Sequence, residues 1–408
     1  MKTNNTNKKN NKVILAFSGG LDTSFCVPYL KEKGYEVITV TIDSGGISSS
    51  EKKKIQNKSN TLGAIKHYFI DAKEYYFKSM ISWIIMSNGL YEGSYPNIVS
   101  SQRYHIVEKC VEIAKKEGAN YFADGNSGSG NDQVRFSTTL SILAPGIVHI
   151  TPIKDIGGDR EQEKAFLKKK GFSVDAIFKK YTTNTNILGI SYSGSEIDEH
   201  KEPNNSIFQW VTGNKASEIK YIKVGFDKGL PVSINGKSID GVKMLEYLNS
   251  EAGSHGFGKG YYTGDCMIGI KGHLVFEAPG ILFLIIAHKA LEQYILTKPQ
   301  MQIGSILSEQ LTDYMFNGKW FDPVVNDLKS FFLSQQKQVT GEVTMKLEYG
   351  NALAVSVMTA NSLIDIEVAS YAQSKSWSKE DVEGFIKLYG LQTVIAAKKQ
   401  NMKGGNDL

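Results

Sequence analysis

Hydrophobic runs and amphipathic segments alternate from the first part of the chain onward. An apolar run at Val13–Phe17 leads through a Ser-Gly-Gly turn into an amphipathic segment from Asp22 to Lys33. Gly34 ends that segment, and a run rich in β-branched residues follows at Glu36–Ile42. A strand, a helix closed by glycine and a second strand form a βαβ unit, which builds a parallel sheet. We therefore expect the chain to begin with an α/β domain.

The same alternation continues along the next hundred or so residues. Strands are predicted at Ala64–Ile70, Tyr121–Ala123 and Ile147–Thr151, and a helix is predicted at Tyr104–Glu117. Helices that connect parallel strands pack on the faces of the sheet. The pattern predicts a doubly wound parallel sheet over residues 13–172.

The second half of the chain has less regular strands and several glycine-rich segments. Helices are predicted at Ile281–Thr297 and Pro323–Gln336. Val339–Leu347 and Ala352–Val357 alternate as an antiparallel hairpin, with Tyr349-Gly350-Asn351 at its turn. These elements predict an α+β class for the second domain.

We place the second domain at residues 173–375 and a C-terminal helical tail at 376–408. The tail prediction depends on the amphipathic segment Ser378–Lys399. Residues 1–12 are rich in Asn and Lys and have no apolar core, which predicts a disordered segment and not a signal peptide.

Composition and charge narrow the function classes. The 408 residues carry a net charge of +5, which is too small for this length to indicate a nucleic-acid partner. No stretch of eighteen apolar residues occurs, so we expect no transmembrane helix and no membrane partner. The three cysteines, at 26, 110 and 266, form no CxxC pair, which predicts reduced thiols in a cytoplasmic protein.

The Ser18–Ser24 segment, Ser-Gly-Gly-Leu-Asp-Thr-Ser, lies between the first predicted strand and the first predicted helix. Glycines let the backbone approach a ligand closely, and the N-terminus of a helix favours an anion such as phosphate. Hydroxyls at Ser18, Thr23 and Ser24 add donors. Asp22 either helps to hold a magnesium ion or caps the helix. We interpret the segment as a phosphate-binding loop.

A formal match to a Walker A loop occurs at Gly253–Lys259. Gly260 follows it where Ser or Thr would provide the magnesium ligand, and no clear strand precedes it. We do not expect this segment to bind phosphate.

A second polar segment, Asp124–Phe136, follows the predicted strand that ends at Ala123. Its end brings Asn131, Asp132 and Arg135 together within five positions. Ligands of open α/β sheets collect at the carboxyl ends of the strands. The amide of Asn131 and the carboxylate of Asp132 can bind the carboxylate and the ammonium group of an amino acid. The guanidinium of Arg135 can bind an oxyanion through two parallel hydrogen bonds.

These motifs resemble those of a known family. The 18–24 loop resembles the pyrophosphate loop of the N-type ATP pyrophosphatases, whose domain is adenine nucleotide alpha hydrolase-like. GNDQVRF at 130–136 is similar to the signature of the argininosuccinate synthases. Six further segments resemble that family, and with the loop the resemblance runs in the same order from about residue 13 to 390. The six are TTNTNILGIS at 182–191, LNSEAGSHGFG at 248–258, FEAPG at 276–280, FNGKWFDP at 316–323, VTG at 339–341 and GFI at 384–386.

The resemblance implies a carbon–nitrogen ligase that uses ATP and Mg²⁺. An acceptor's ureido oxygen attacks the α-phosphorus, pyrophosphate leaves, and the amine of aspartate then displaces AMP. The resemblance also implies that the acceptor is citrulline and that the protein is a homotetramer. It gives an ATP site, an aspartate site and a citrulline site. The ATP residues are Ala16, Phe17, Ser18, Gly19, Gly20, Leu21, Asp22, Thr23, Ser24 and Gly125, with Asp22 as metal ligand. The aspartate residues are Ser127, Asn131 and Asp132, and the citrulline residues are Tyr95, Ser100, Asn131, Arg135, Thr182 and Ser191. The catalytic candidates are Asp22, Asn131 and Arg135.

Several positions depart from the family pattern. Ser129 stands where the family has Lys, and two citrulline contacts, a Glu and a Tyr, fall on Gly264 and Phe276. These departures predict weak citrulline binding unless Asp265 or Glu196 substitutes. A paralogue with a different ureido or carbonyl acceptor and a catalytically silent nucleotide-binding relative remain as alternatives.

Overall fold

The computed structural model describes residues 11–126, 130–173, 181–199, 201–267, 269–366, 368 and 376–403. The chain forms two compact units, Met1–Ala360 and Asn361–Leu408. Of the predicted disordered segment 1–12, residues 1–10 lie outside the described residues, and Lys12 begins the first strand. The predicted domain bounds at 172 and 376 stay predictions.

A parallel sheet of five strands forms the first part of the larger unit, in the order β3-β2-β1-β4-β5. Every predicted strand of this region is present, with ends within two residues of those expected. The strands are β1 (Lys12–Ala16), β2 (Glu36–Asp43), β3 (Lys66–Asp71), β4 (Tyr121–Ala123) and β5 (Val148–Ile150).

Helices cover both faces of this sheet, so the doubly wound prediction is confirmed. Val13 and Leu15 of β1 belong to the apolar cluster that contains helix α1 and helix α8. Ile14 belongs to the opposite cluster, which contains helix α5 and helix α6. The helices of this region are α1 (Leu21–Glu32), α2 (Ser49–Leu62), α3 (Lys73–Tyr76), α4 (Ser82–Met86), α5 (Ile98–Glu117), α6 (Asn131–Leu143), α7 (Pro152–Asp155) and α8 (Arg160–Lys169), with a π-helical turn at Phe77–Ile81 between α3 and α4.

Among the described residues, two antiparallel sheets and four α-helices form most of the rest of the larger unit. One sheet has the order β10-β9-β8-β13-β14 and the other the order β11-β12-β7-β6. The strands are β6 (Thr182–Asn186), β7 (Gly189–Ser193), β8 (Lys220–Asp227), β9 (Leu230–Ile234), β10 (Lys237–Ser238), β11 (Lys259–Asp265), β12 (Lys271–Glu277), β13 (Gly341–Glu348) and β14 (Asn351–Met358). The helices are α9 (Gly241–Ser254), α10 (Pro279–Ile295), α11 (Lys298–Phe316) and α12 (Pro323–Gln335).

The predicted hairpin is confirmed as β13 and β14. Glu348 pairs with Asn351, so the turn consists of Tyr349 and Gly350. Both have positive φ, 48° and 77°, as a two-residue turn between twisted strands requires. The formal Walker A string begins with Gly253 in the last turn of α9, so no strand precedes it.

One helix prediction needs correction. Helix α5 begins at Ile98, six residues before the predicted start, because its first turns are rich in Ser and Gln and carry no apolar periodicity. The predicted helical tail is confirmed and consists of two helices, α13 (Lys379–Tyr389) and α14 (Leu391–Lys403), separated at Gly390. Among the described residues, no helix is long and apolar enough to cross a membrane. Cys26 and Cys110 are buried thiols, as expected.

The loop after β2 contacts the β6–β7 hairpin at close range. The backbone N–H of Ile187 donates to the carbonyl of Ser44 at 2.9 Å. A Cβ on Gly45 would lie 2.1 Å from Cγ2 of Ile187, and one on Gly46 would lie 2.5 Å from a methyl of Thr185. Glycine is therefore required where the parallel sheet meets the second part of the unit.

Candidate active site

The predicted phosphate-binding loop connects β1 to α1. Gly20 is the N-cap of α1 in extended conformation, and Gly19 has a φ of 76°, which favours glycine. Asp22 lies in the first turn, and no side chain caps this helix end. The alternative role of Asp22 as N-cap is therefore wrong. The loop exposes the N-terminus of a twelve-residue helix, where an anion is favoured.

The three hydroxyls of the loop have different surroundings. Ser18 and Thr23 contact each other, with 3.2 Å between Oγ and Oγ1, and the N–H of Gly20 donates to Ser18 Oγ at 3.3 Å. Ser24 is buried, and its hydroxyl donates to the carbonyl of Gly19 at 3.4 Å. Ser24 therefore stabilises the loop conformation, whereas Ser18 and Thr23 face the space in front of it.

That space is a cleft of about 580 Å³, here called the nucleotide cleft. Gly20, Leu21 and Ser24 are outside its lining. The other predicted nucleotide residues line it: Ala16, Phe17, Ser18, Gly19, Asp22, Thr23 and Gly125.

Lys58 of α2 is a feature of this cleft that the sequence did not reveal. Its ammonium donates to the carbonyl of Gly19 at 2.8 Å, and it lines the cleft. Burial lowers the pKa of Lys58. The residue places a cation beside the loop where phosphates are expected. In the sequence it is one of several lysines in a lysine-rich helix, so no local signal distinguishes it.

A second cleft of about 510 Å³, here called the polar cleft, adjoins the first. Six residues line both clefts: Asp22, Gly125, Asn126, Asp132, Thr182 and Asn184. Ser127 and Ser129 lie outside the described residues. All other predicted substrate residues line the polar cleft: Tyr95, Ser100, Asn131, Asp132, Arg135, Thr182 and Ser191.

Asp132 forms ion pairs with two arginines. Its Oδ2 accepts from Nε of Arg103 at 2.9 Å, and its Oδ1 accepts from Nη1 of Arg135 at 2.8 Å. Burial alone would raise the pKa of Asp132, but the two guanidinium groups hold it below its usual value. The carboxylate is therefore ionised and already paired. Asp132 therefore orients the guanidinium groups of Arg103 and Arg135. The spacing of residues in the 130–136 motif did not reveal this role.

Arg135 is buried and keeps one donor unused. Nε donates to the carbonyl of Phe316 at 2.8 Å, and the guanidinium lies over the Phe316 ring, 4.7 Å from its centroid. Nη2 is buried and has no hydrogen-bond partner among the described residues. Since an unpaired buried donor is costly, this nitrogen suits an oxyanion of a bound substrate.

Asn131 is the first residue of α6, and its Oδ1 accepts the backbone N–H of Met267 at 2.9 Å. The side chain thus joins α6 to the turn after β11. Nδ2 is the donor that this contact does not use, and Asn131 lines the polar cleft.

Besides Asn131 and Arg135 of α6, the predicted acceptor residues carry hydroxyl groups and come from the segment before α5, from α5 and from the β6–β7 hairpin. Tyr95 is buried, its hydroxyl lies 3.2 Å from Oγ of Ser191, and it accepts from the N–H of Val99 at 3.0 Å. Ser100 is buried and donates to Oδ1 of Asn97 at 2.6 Å. Thr182 is exposed at the start of β6. These hydroxyl-bearing residues line the polar cleft together with Asn131 and Arg135.

The structure explains the glycine at position 264. A Cβ there would lie 1.9 Å from the hydroxyl oxygen of Tyr262 and 2.4 Å from Oε2 of Glu92. A hydroxyl and a carboxylate from other positions therefore occupy this place. The ring of Tyr262 stacks on Tyr95 at a centroid distance of 5.3 Å, and Phe276 meets Tyr95 edge to face at 5.5 Å.

The two substitutes suggested by the sequence have other partners. Asp265 forms an ion pair with Lys271 at 2.6 Å, and Glu196 accepts from the hydroxyl of Tyr181. Glu92 and Tyr262 carried no sequence signal, because their positions lie outside every motif.

No group of three or more His, Cys, Asp or Glu side chains that could hold a metal occurs among the described residues. Mg²⁺ is usually bound by one or two carboxylates together with substrate phosphates and water. Asp22, half-buried at the helix end that faces both clefts, fits that pattern.

Comparison with known proteins gives one consistent result. Residues 12–173 match the family described as "Arginosuccinate synthase N-terminal HUP domain", and residues 181–396 match "Arginosuccinate synthase C-terminal domain". The chain is 38% identical over 392 residues to the argininosuccinate synthase of Xanthomonas campestris, covering 95% of this chain and 98% of that one. It is 39% identical to that of Pyrococcus furiosus over 94% of each chain. With that of Methanocaldococcus jannaschii it shares 37% identity over 96% of this chain and 99% of the relative. The chain belongs to the argininosuccinate synthase family.

Proposed function

We propose that this protein joins L-aspartate to L-citrulline at the expense of ATP and forms argininosuccinate, AMP and pyrophosphate. The observation that carries the proposal is the junction of the two clefts at Asp22, Gly125 and Asp132. A nucleotide with its phosphates at the start of α1 has its α-phosphorus next to the polar cleft. An acceptor in the polar cleft is then in reach of that atom.

The chemistry requires positioning more than acid–base catalysis. The ureido oxygen attacks the α-phosphorus and pyrophosphate leaves. The amine of aspartate then attacks the ureido carbon, and the carbon–oxygen bond to AMP breaks. Loop N–H groups, Lys58 and Arg135 hold the anionic groups in line. Mg²⁺, when bound at Asp22, neutralises phosphate charge.

The test follows the oxygen atom. Citrulline labelled with ¹⁸O in the ureido group is incubated with the protein, MgATP and aspartate. We expect equal amounts of AMP and pyrophosphate, and one ¹⁸O in the phosphate of AMP. Nucleotide binding without pyrophosphate would identify a silent relative. Turnover with another ureido or carbonyl compound but not with citrulline would identify a paralogue.

We further propose that Glu92 and Tyr262 replace the family's Glu and Tyr in binding the acceptor. Glu92→Gln is expected to raise the KM for citrulline about ten- to a hundredfold, since a charge-assisted contact contributes about 1.5–3 kcal/mol. Tyr262→Phe should have a smaller effect in the same direction. The KM for ATP should stay constant in both, as measured by pyrophosphate release.

Asp265→Asn is the matched control, because Asp265 lies beside Gly264 but pairs with Lys271. Its citrulline KM should match the wild type, and a rise equal to that of Glu92→Gln would contradict the assignment. Gly264→Glu is expected to lower stability and not to improve binding, because its Cβ would overlap Tyr262.

We also propose the homotetramer that the family resemblance implies and the cytoplasmic location that the cysteine pattern predicts. Exposed apolar side chains on β8 and β14 support self-association: Tyr221, Leu353, Val355 and Met358 are each 46% exposed or more. Analytical ultracentrifugation at micromolar concentration measures the assembly directly. A sedimentation coefficient that corresponds to a monomer would contradict the homotetramer.

A further inference from the structure

Glu163 of α8 is a buried acid that none of the sequence motifs includes. Its side chain is 1% exposed, and it lines the polar cleft together with Asp22. Oε2 is buried and has no hydrogen-bond partner among the described residues. A buried carboxylate oxygen without a partner is unusual and needs a physical reason.

Glu163 shares the lining of the polar cleft with the carboxyl group of Asp22 and with the guanidinium of Arg160. Arg160 is exposed to solvent, and its Nη2 donates to Oγ1 of Thr182 at 3.4 Å. Two carboxyl groups that line one cleft are stabilised when a cation lies between them.

The position of Glu163 in helix α8 does not explain why its carboxyl group is buried. Glu163 lies in the first turn of α8, where the helix dipole favours an acid. Glu161 lies in the same turn, and its side chain is 80% exposed. It therefore interacts favourably with the helix dipole without being desolvated. The burial of Glu163 therefore needs another reason.

The packing of α8 directs Glu163 toward the phosphate-binding loop. Phe166 of α8 packs edge to face on Phe25 of α1, with ring centroids 5.0 Å apart. Leu167 and Phe25 belong to one buried cluster. The carboxyl group is thereby fixed beside the first turn of α1.

We propose that Glu163 is the second protein ligand, with Asp22, of the Mg²⁺ that accompanies ATP. The inference rests on the proposed function, because it requires phosphates at the α1 terminus. Two carboxylates and phosphate oxygens form an ordinary oxygen ligand set for Mg²⁺. Helix α8 thus supplies one of the two protein ligands.

The test measures metal binding without turnover. Mn²⁺ is titrated into the protein with a non-cleavable α,β-methylene ATP analogue, and free Mn²⁺ is followed by electron paramagnetic resonance. Glu163→Gln is expected to weaken Mn²⁺ binding about ten- to a hundredfold. Glu161→Gln is the matched control and should bind as the wild type does. Thermal melting should show Glu163→Gln at least as stable as the wild type, because a buried charge is removed.

Mn²⁺ affinity that is equal in Glu163→Gln and the wild type would overturn the inference. So would a wild type that binds no Mn²⁺ with the nucleotide analogue. If Glu163→Gln weakens Mn²⁺ binding but the ¹⁸O experiment shows no adenylate transfer, the metal ligand stands and the proposed reaction fails.

Discussion

Asp22→Ala is expected to reduce magnesium-dependent pyrophosphate release about a hundredfold or more. Removing one preorganised group that stabilises a phosphoryl transition state has effects of this size. The fold should remain, because Asp22 is half-buried and caps no helix. The measurement is kcat for pyrophosphate release, with the thermal melting curve recorded on the same samples.

Glu32→Ala is the control for this variant. Glu32 is the last residue of the same helix and pairs with Lys170, far from both clefts. It should keep the kcat of the wild type. Equal turnover in Asp22→Ala and Glu32→Ala would remove Asp22 from the mechanism.

Asp132→Ala and Asn131→Ala are expected to differ, although the residues are adjacent. Asp132→Ala leaves Arg135, whose side chain is 4% exposed, without its counter-charge. Breaking a buried ion pair costs about 3–5 kcal/mol, and the lower end applies because Asp132 is 26% exposed. Asn131→Ala should lose only about 1 kcal/mol and raise the KM for aspartate about tenfold.

Urea unfolding with steady-state kinetics separates the two effects. For Asp132→Ala we expect a lower midpoint of unfolding and a higher KM for both amino-acid substrates, since Arg135 loses its orientation. A second change, Arg103→Gln, should recover part of the stability by removing an unpaired cation. Equal stability of the two single variants would contradict the ion-pair assignment.

The parallel sheet was predictable because its signals are local. Buried parallel strands are continuous apolar runs, and glycines mark where α1 begins and where the helices stop. The fold then explains why Tyr95, Asn131 and Ser191, distant in the sequence, share a cleft. Their grouping was inferred from the family resemblance, and the structure gives its geometry.

The remaining site features could not be inferred from sequence because they depend on contacts between distant elements. Lys58 and Glu163 lie in helices rich in Lys and Glu, where burial of one side chain leaves no local pattern. Glu92 and Tyr262 occupy a place that the motif assigns to position 264. Arg103 pairs with Asp132 across 29 positions, so the charge balance of the cleft was not visible in the motif.

The contact of Gly45 and Gly46 with the β6–β7 hairpin has a consequence for the entropy of the reaction. The phosphate-binding loop belongs to the parallel sheet, whereas Thr182 and Ser191 belong to that hairpin. Because no atom larger than hydrogen fits on these glycines, the hairpin packs directly against the loop that follows β2. The entropy cost of aligning the two substrate sites with each other is therefore largely met when the chain folds. It does not recur at each turnover.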